Sequence, residues 1–177
     1  MTKYIALLRG INVGGHKKVP MAELRDILVK AGFTNVKTYI QSGNVVLQSL
    51  ESDTLLVASQ IKELIKSHFK FEVPVLVRTA SEIETILNNC PFGQEEKEKS
   101  YFMMLTEIPD KELVILASEK VYEGEDYYII NDCIYFYAEK GYGKAKFNMS
   151  WFEKTLKVTA TARNYRTMTK LLEMSTP

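Results

Sequence analysis

The stretch "VKTYIQSGNVVLQS", residues 36–49, decides the fold, because two short β-rich runs meet in it at Ser42 and Gly43. Val, Ile, Tyr and Thr favour strands, and glycine adopts the positive φ of a tight turn at little cost. The pattern therefore predicts a β-hairpin whose turn lies at Ser42 and Gly43.

Helical patterns flank the hairpin, because apolar residues recur every three or four positions over residues 21–32 and 53–69. Pro20 suits the first turn of the earlier helix, Gly32 suits its end, and Asp53 suits the N-cap of the later helix. The apolar positions are Met21, Leu24, Ile27, Leu28 and Ala31 in the first helix, and Leu55, Leu56, Ile61, Leu64, Ile65 and Phe69 in the second. Each set predicts an amphipathic helix.

Two further β-rich runs complete the first half of the chain. "KYIALL" at residues 3–8 precedes the first helix, and "PVLVRT" at residues 74–79 follows the second. The order strand, helix, two strands, helix, strand is that of the ferredoxin-like arrangement, in which an antiparallel sheet carries two helices on one face.

The second half follows the same order of elements. Residues 100–107 are strand-like, residues 110–121 are helical, and residues 126–139 predict a hairpin that turns near Asn131 and Asp132. The repetition indicates that the fold is duplicated.

The remaining elements of the second half are a helix from about Ala145 to Leu156, a short strand within residues 156–162 and a final helix within residues 164–174. Between the halves, residues 81–99 predict a helix followed by a polar connection, with Pro91 and Gly93 as breakers. The expected core contacts of the last two helices are Phe147, Trp151, Phe152, Met168, Leu171 and Leu172.

The predicted fold class is α+β, a tandem duplication of ferredoxin-like (βαββαβ) units with antiparallel sheets and an extra C-terminal helix. The expected domains are a first ferredoxin-like unit at residues 1–79, a helix and connection at 80–99, and a second unit with the C-terminal helix at 100–177.

The composition excludes several classes of protein. The 177 residues are 46% hydrophobic and 25% charged, which is typical of globular chains. The first residues contain no apolar run long enough for a signal peptide or a membrane span, so we expect a cytoplasmic protein with no membrane partner. The two cysteines form no CxxC pair and no metal-ligand spacing occurs, so neither a disulfide framework, a metal site nor a cofactor is predicted.

The charge is unevenly distributed along the chain. Residues up to Thr79 contain 11 basic and 6 acidic side chains, residues 80–139 contain 4 and 14, and residues 140–177 contain 8 and 2. If the two basic ends meet in the fold, they form one positive face that attracts phosphates or nucleic acid. The alternative is that each segment is a solvated surface and the acidic middle neutralises the ends.

The connection "RGINVGGHKKVP", residues 9–20, has the features of an anion-binding loop. It leads into a helix N-terminus, where unpaired N–H groups and the helix dipole favour an anion. Its glycines allow a close backbone approach, while Arg9 and Lys17 supply charge. The loop matches neither the P-loop pattern nor GxGxxG, so no NTPase is predicted. The alternative is a connection in which the glycines serve turn geometry and the lysines face water.

Three further stretches offer polar groups for a ligand. They combine amides, cations and aromatic rings, and they are "YIQSGNVV" at the hairpin, "KGYGKAK" at residues 140–146 and "TARNYRT" at residues 161–167. Asn164 is also an N-cap candidate for the final helix. Each has an alternative interpretation: ordinary turn chemistry for the hairpin, and a capped helix with surface arginines that pair with the acidic middle for the C-terminal segments.

Few residues suggest catalysis. His16 and His68 are the two histidines, and the GxSxG pattern is absent. An enzyme would use His16 as an acid or base, or carboxylates that the sequence does not distinguish from surface ones.

The three motifs taken together carry a resemblance. The residues that carry the resemblance are "YIALLRGINVGGHKKVPMAELR", "YIQSGNVV" and "TARNYRT". With them, the chain closely resembles a widespread bacterial family known as domain of unknown function 1697 over essentially its whole length. Tyr165 stands where many members have Trp. The resemblance implies an α+β fold with two ferredoxin-like repeats and brings no agreed activity or cofactor. The positions that define the family are Arg9, Gly10, Asn12, Gly14, Gly15, Gln41, Ser42, Gly43, Asn44, Arg163 and Asn164.

The leading hypothesis is a protein that binds a phosphate-bearing ligand, either a nucleotide or a nucleic-acid backbone, through the Gly-rich basic loop at residues 9–19 and the C-terminal basic segment. The alternatives are an enzyme that acts on a small anionic metabolite at the same site, and a protein interaction module; the sequence indicates no oligomeric state. The candidate ligand-binding residues are Arg9, Gly10, Asn12, Gly14, Gly15, His16, Lys17, Gln41, Ser42, Asn44, Tyr142, Lys144, Arg163 and Asn164.

Overall fold

The computed structural model describes residues 1–176, which form two compact units. The first unit contains Met1–Glu84 and the C-terminal stretch that begins at Lys170, and the second contains Thr85–Thr169. Each unit holds one four-stranded antiparallel sheet, and the described residues contain seven α-helices in all.

The first unit has the order of elements that the sequence predicts. Its strands are β1 (Thr2–Leu8), β2 (Thr34–Tyr39), β3 (Asn44–Ser49) and β4 (Val75–Thr79), and its helices are α1 (Met21–Lys30), α2 (Thr54–Phe69) and the start of α3 (Ala80–Asn88). The strands lie in the order β2-β3-β1-β4, and every neighbouring pair is antiparallel.

Helices α1 and α2 pack on one face of this sheet. Alternate residues of β1, among them Tyr4, Ala6 and Leu8, point to that face because strand side chains alternate between faces. They meet buried residues from both helices, such as Leu24 and Ile61, which are fully buried. Burial of this apolar surface is the main stabilising contribution to the unit.

The second unit repeats this arrangement. Its elements are the end of α3, α4 (Gln94–Lys99), β5 (Tyr101–Leu105), α5 (Lys111–Ser118), β6 (Glu125–Ile130), β7 (Cys133–Ala138), α6 (Met149–Leu156), β8 (Ala160–Asn164) and the start of α7 (Tyr165–Ser175). The residues of α7 from Lys170 onward belong to the first unit. The strand order is β6-β7-β5-β8, which is the order of the first sheet. Phe136 and Phe152 lie in its core with Phe147, whose ring stacks on Phe152 with centroids 4.5 Å apart.

The predicted duplication of βαββαβ units is therefore confirmed, with α7 as the extra C-terminal helix. The hairpin turn at Ser42 and Gly43 and the turn at Asn131 are also confirmed. Asp53 caps α2 as expected, since its carboxylate accepts the N–H of Leu55 at 2.8 Å.

Three element boundaries differ from the predictions. The sixth helix starts at Met149 rather than near Ala145, because Asn148 caps it by accepting the N–H of Trp151. Strand β8 lies later than the expected run. The predicted polar connection contains α4, whose i,i+4 pairs Lys99–Glu95 and Gln94–Glu98 support a short polar helix.

Two apolar positions of α2 do not face the core. Leu55 is 71% exposed and Leu56 is 51% exposed, while Val57, Ile61 and Ile65 are fully buried. The buried stripe follows a spacing of four residues from Val57, so the leucines at the first turn fall outside it.

None of the helices among residues 1–176 combines the length and the apolar character that a membrane span requires.

Gly43 lies where the hairpin turn approaches the end of β1. Its φ is +81°, and an added Cβ would lie 2.6 Å from Cβ of Leu8 and 3.1 Å from Cδ1 of Ile11. A distance of 2.6 Å is far shorter than a van der Waals contact, so only glycine fits at this position.

We expect Gly43→Ala to destabilise the protein by about 2–4 kcal/mol, because the positive φ and the overlap with Leu8 both carry a cost. Denaturant unfolding of both variants measures the difference. The control is Gly32→Ala. Gly32 also has a positive φ, of +98°, but no atom lies within 4 Å of the added Cβ. Equal losses in the two variants would show that the close approach to Leu8 contributes nothing.

Candidate anion-binding loop

The loop at residues 9–20 connects the end of β1 to the start of α1. The N–H of Leu8 donates to the carbonyl oxygen of Gly43 at 2.8 Å, and the N–H of Arg9 donates to that of Pro74 at 3.0 Å. These bonds fix the start of the loop between the β2–β3 turn and the segment ahead of β4. The side chain of Arg9 is partly buried there.

The tip of the loop is a four-residue turn at residues 13–16. The N–H of His16 donates to the carbonyl oxygen of Val13 at 3.1 Å, and the two residues pair as an isolated bridge. Gly14 has a φ of +58° and Gly15 a φ of +78°. Positive φ at both central residues defines a type I′ turn, which favours glycine at both places.

The space above the tip is open. An added Cβ on Gly15 would meet no atom within 4 Å, and one on Gly14 would meet only Cδ2 of His16 at 3.8 Å. Gly10, at the start of the loop, is also exposed. A ligand can therefore approach the backbone at Gly14 and Gly15 closely.

Asn12 ties the loop to the β2–β3 turn. Its Nδ2 donates to the carbonyl oxygen of Val19 at 3.0 Å and to that of Gln41 at 2.7 Å, while its Oδ1 accepts the N–H of Val19 at 2.9 Å. The N–H of Asn12 also donates to the carbonyl oxygen of Lys17 at 3.2 Å. One side chain thus closes the loop and joins it to the hairpin.

The hairpin turn presents Gln41 and Ser42 to solvent, whereas Asn44 is fully buried. Nδ2 of Asn44 donates to the carbonyl oxygen of Tyr39 at 3.1 Å and to Oγ of Ser42 at 2.9 Å, so it closes the turn. Ile40 has a φ of +49°, which is rare for a β-branched residue and costs about 1–3 kcal/mol. The strained turn is held by these contacts.

The charge around the loop is positive. No Asp or Glu occurs in residues 9–22, and Lys18 is exposed. Nζ of Lys17 donates to the carbonyl oxygen of Glu72 at 2.8 Å. The nearby carboxylate of Glu72 is bound by Lys66 at 2.8 Å, and this hydrogen bond lowers the pKa of Glu72. That carboxylate therefore stays charged and paired with a lysine.

Arg25 is a cation close to the hairpin that is not among the ligand-binding residues predicted from the sequence. Arg25 lies on the second turn of α1, and its guanidinium donates to Oγ1 of Thr38 at 2.6 Å. The sequence offers a signal for this contact. Arg25 lies four residues after Met21, which begins the helix, and Thr38 lies just ahead of the hairpin turn.

The other four candidate residues lie in the second unit, beginning with Tyr142. Its ring stacks on Tyr101 with centroids 4.0 Å apart and meets Phe136 edge-on. Tyr142 is 39% exposed, so one face of the ring is already used in packing. It belongs to a single 3-10 turn at Tyr142–Lys144.

Lys144 lies in a depression of about 450 Å³ that holds both signs of charge. The charged side chains that line it are Lys140, Lys144, Lys146, Glu123, Glu125 and Glu139. The carboxylate of Glu125 accepts the backbone N–H groups of Lys146 and Phe147. The lining therefore contains equal numbers of lysines and glutamates and carries no excess of positive charge.

Arg163 and Asn164 have structural partners at the end of β8. The partly buried guanidinium of Arg163 donates to the carbonyl oxygen of Ala162 at 2.8 Å, and loss of solvent lowers the pKa of Arg163 to about 10. Arg163 pairs with Phe102 in the sheet register, whereas Tyr142 packs on the neighbouring residue, Tyr101. Because adjacent strand residues point to opposite faces, Tyr142 and Arg163 lie on opposite faces of the second sheet.

Asn164 is the N-cap that the sequence predicts for α7. Its Oδ1 accepts the N–H of Thr167 at 2.9 Å. In the first unit, Thr79 and Glu82 form the equivalent cap of α3, because each side chain accepts the backbone N–H of the other residue.

Both histidines are exposed, and the possible metal-ligating side chains are not clustered among the described residues. No three His, Cys, Asp or Glu side chains within residues 1–176 are grouped so that they could hold a metal ion. His68 contacts the carboxylate of Glu23 at 3.3 Å on the surface, and His16 is exposed at the tip of the loop.

Comparison with known proteins gives a family and a solved relative. A family model described as "Protein of unknown function (DUF1697)" matches residues 1–135. The chain is similar to the conserved bacterial protein SP0830 from Streptococcus pneumoniae, with 32% identity over 99% of both chains and a TM-score of 0.74. No curated protein matches the sequence. The family match confirms the resemblance, although the "TARNYRT" motif lies beyond the matched residues.

We expect Asn12→Asp to destabilise the protein by about 2–3 kcal/mol, because the carboxylate cannot donate to Val19 and Gln41 and repels their carbonyl oxygens. Denaturant unfolding measures the loss, and amide shifts of Val19 and Gln41 report detachment of the loop. Asn89→Asp, on an exposed position, is the control for the added charge. Identical stability of both variants would contradict the role of Asn12.

Proposed function

The chain belongs to the family described as "Protein of unknown function (DUF1697)", which names no activity, and from the geometry of the loop at residues 9–20 we propose that it binds a phosphate-bearing ligand. The proposed site comprises the turn at residues 13–16 and the lysines that follow it. The ligand class is a nucleotide or a nucleic-acid backbone.

The observation that carries this proposal is the exposed pair of glycines at the tip. The hydrogen bonds between backbone groups that hold the tip use the N–H groups of Asn12 and His16. Among the described residues, the N–H groups of Gly14 and Gly15 donate to no backbone carbonyl oxygen. Open space above both glycines lets an anion reach these N–H groups. Backbone N–H groups in such turns bind phosphate oxygens well.

The lysines beside the tip supply the charge that a phosphate needs. Lys17 uses one of its three ammonium protons on the carbonyl oxygen of Glu72, which fixes the position of its Nζ and leaves two protons for a ligand. Lys18 is exposed next to it. A phosphate can therefore accept both neutral and charge-assisted hydrogen bonds here.

The same geometry favours binding rather than catalysis. His16 lies on the exposed tip, whereas a general acid or base works best in a site that excludes water. Asn12 and Asn44 close the loop and the turn, so their family positions have structural roles beside any ligand.

We expect Gly15→Asn to weaken binding of a nucleotide by at least about tenfold, because the added side chain fills the open space while Asn still tolerates a positive φ. A thermal-shift panel of nucleoside mono-, di- and triphosphates identifies the ligand, and calorimetry measures its affinity. Bound ligand should raise the Tm by several degrees at saturation.

The matched control is Gly32→Asn, which adds the same side chain at an exposed glycine of positive φ at the end of α1. It should bind the ligand as the unchanged protein does. For a single-stranded oligonucleotide, the logarithm of the binding constant should fall by about 0.7 for each tenfold rise in salt concentration and for each phosphate neutralised. If no phosphate compound shifts the Tm and no oligonucleotide binds at low salt, the proposal is wrong.

A further inference from the structure

A second cationic site lies in the first unit, on the sheet face that α1 and α2 do not cover. It is a depression of about 260 Å³ between β1, β2, β3 and the end of α7. Its lining residues are Lys3, Asn35, Lys37, Val46, Gln48, Met174 and Thr176.

The sheet register explains why the two lysines share this depression. Lys3 lies opposite Gln48 on β3, and Lys37 lies opposite Val46 on the same strand. Val46 and Gln48 are two residues apart, so all four side chains point to one face. Strand β3 separates the strands of the two lysines, and the lysines are also offset by two residues along the sheet, which gives a Cα separation of about 12 Å. Their long side chains can reach one ligand from there.

An irregularity in β2 shapes one wall of the depression. The pairing of β2 with β3 shifts between Thr34 and Lys37, and Asn35 has a φ of +50°. Nδ2 of Asn35 donates to Oε1 of Gln48 at 2.7 Å. This bond fixes the amide of Gln48 so that its Nε2 remains a hydrogen-bond donor. Such bulges commonly redirect a side chain beside a binding site.

The charge of the lining favours an anionic ligand. Among the described residues that line the depression there are two ammonium groups and no carboxylate, so the lining itself does not neutralise them. Two ammonium groups in one depression repel each other, and a bound anion relieves that repulsion. The buried side chain of Val46 and that of Met174 add apolar surface.

We propose that this depression binds the phosphate group of a small phosphate monoester, with Lys3, Lys37 and Gln48 on the phosphate and Val46 and Met174 on the organic part. The volume is slightly below the ~300–1,000 Å³ that drug-sized ligands occupy, which favours a small molecule over a polymer. Lys3 and Arg9 are separated by about 20 Å along extended chain, so the site is distinct from the loop.

The test is an NMR titration of the ¹⁵N-labelled full chain with phenyl phosphate, alongside inorganic phosphate and phenol. We expect saturable shifts at the amides of Lys3, Lys37 and Gln48, and tighter binding of the ester than of either fragment. Gln48→Glu should weaken binding at least about tenfold, because the new carboxylate repels the phosphate. It still accepts the Nδ2 donation of Asn35, so the bulge is retained.

Two controls separate local from general charge effects. Gln60→Glu makes the same change on the exposed surface of α2 and should leave the affinity unchanged. Lys37→Gln should weaken binding severalfold, whereas Lys30→Gln, on the last turn of α1, should not.

Equal affinity of the Gln48→Glu and Gln60→Glu variants would overturn the proposal. So would equal binding of inorganic phosphate and the ester, or shifts confined to residues 9–20. Binding at the loop has its own readout, because Gly15→Asn should not alter the shifts of Lys3 and Lys37. Either proposal can therefore fail while the other stands.

Discussion

The close approach of Gly43 to the end of β1 is the constraint on which the rest of the first unit depends. The backbone of the β2–β3 turn reaches Leu8 because Gly43 has no side chain, and its carbonyl oxygen accepts the N–H of Leu8 there. The loop leaves β1 at this point, and Asn12 then ties it back to the same turn through Gln41. The loop geometry is thus set by the sheet rather than by the loop sequence alone.

Much of the fold could be predicted from the sequence, because periodicity reports which faces are buried. The continuous apolar run in β1 and the helical spacing in α1 are strong local signals, and the repeated order of elements indicates the duplication. The errors fell where side-chain caps and pairs decide a boundary. Asn148 sets the start of α6, and a row of i,i+4 pairs makes α4 a helix.

The candidate site was only partly accessible to sequence reasoning. The glycines at 14 and 15 indicated a loop open to an anion, but the partners of Asn12 and Lys17 come from residues 29 and 55 positions away. The depression on the sheet face was missed for a similar reason. Lys3, Lys37 and Gln48 look like ordinary outward strand residues until the register places them side by side.

The two sheets share a strand order but differ at their equivalent edge strands, β2 and β6. Strand β2 breaks its register after Thr34, whereas β6 pairs with β7 without interruption from Glu125 to Ile130. A broken edge is a poor template for another chain, and a regular one invites strand addition unless charges discourage it. Protection against edge-to-edge aggregation therefore rests on backbone irregularity in one half of the molecule and on the exposed charge of Asp126 in the other.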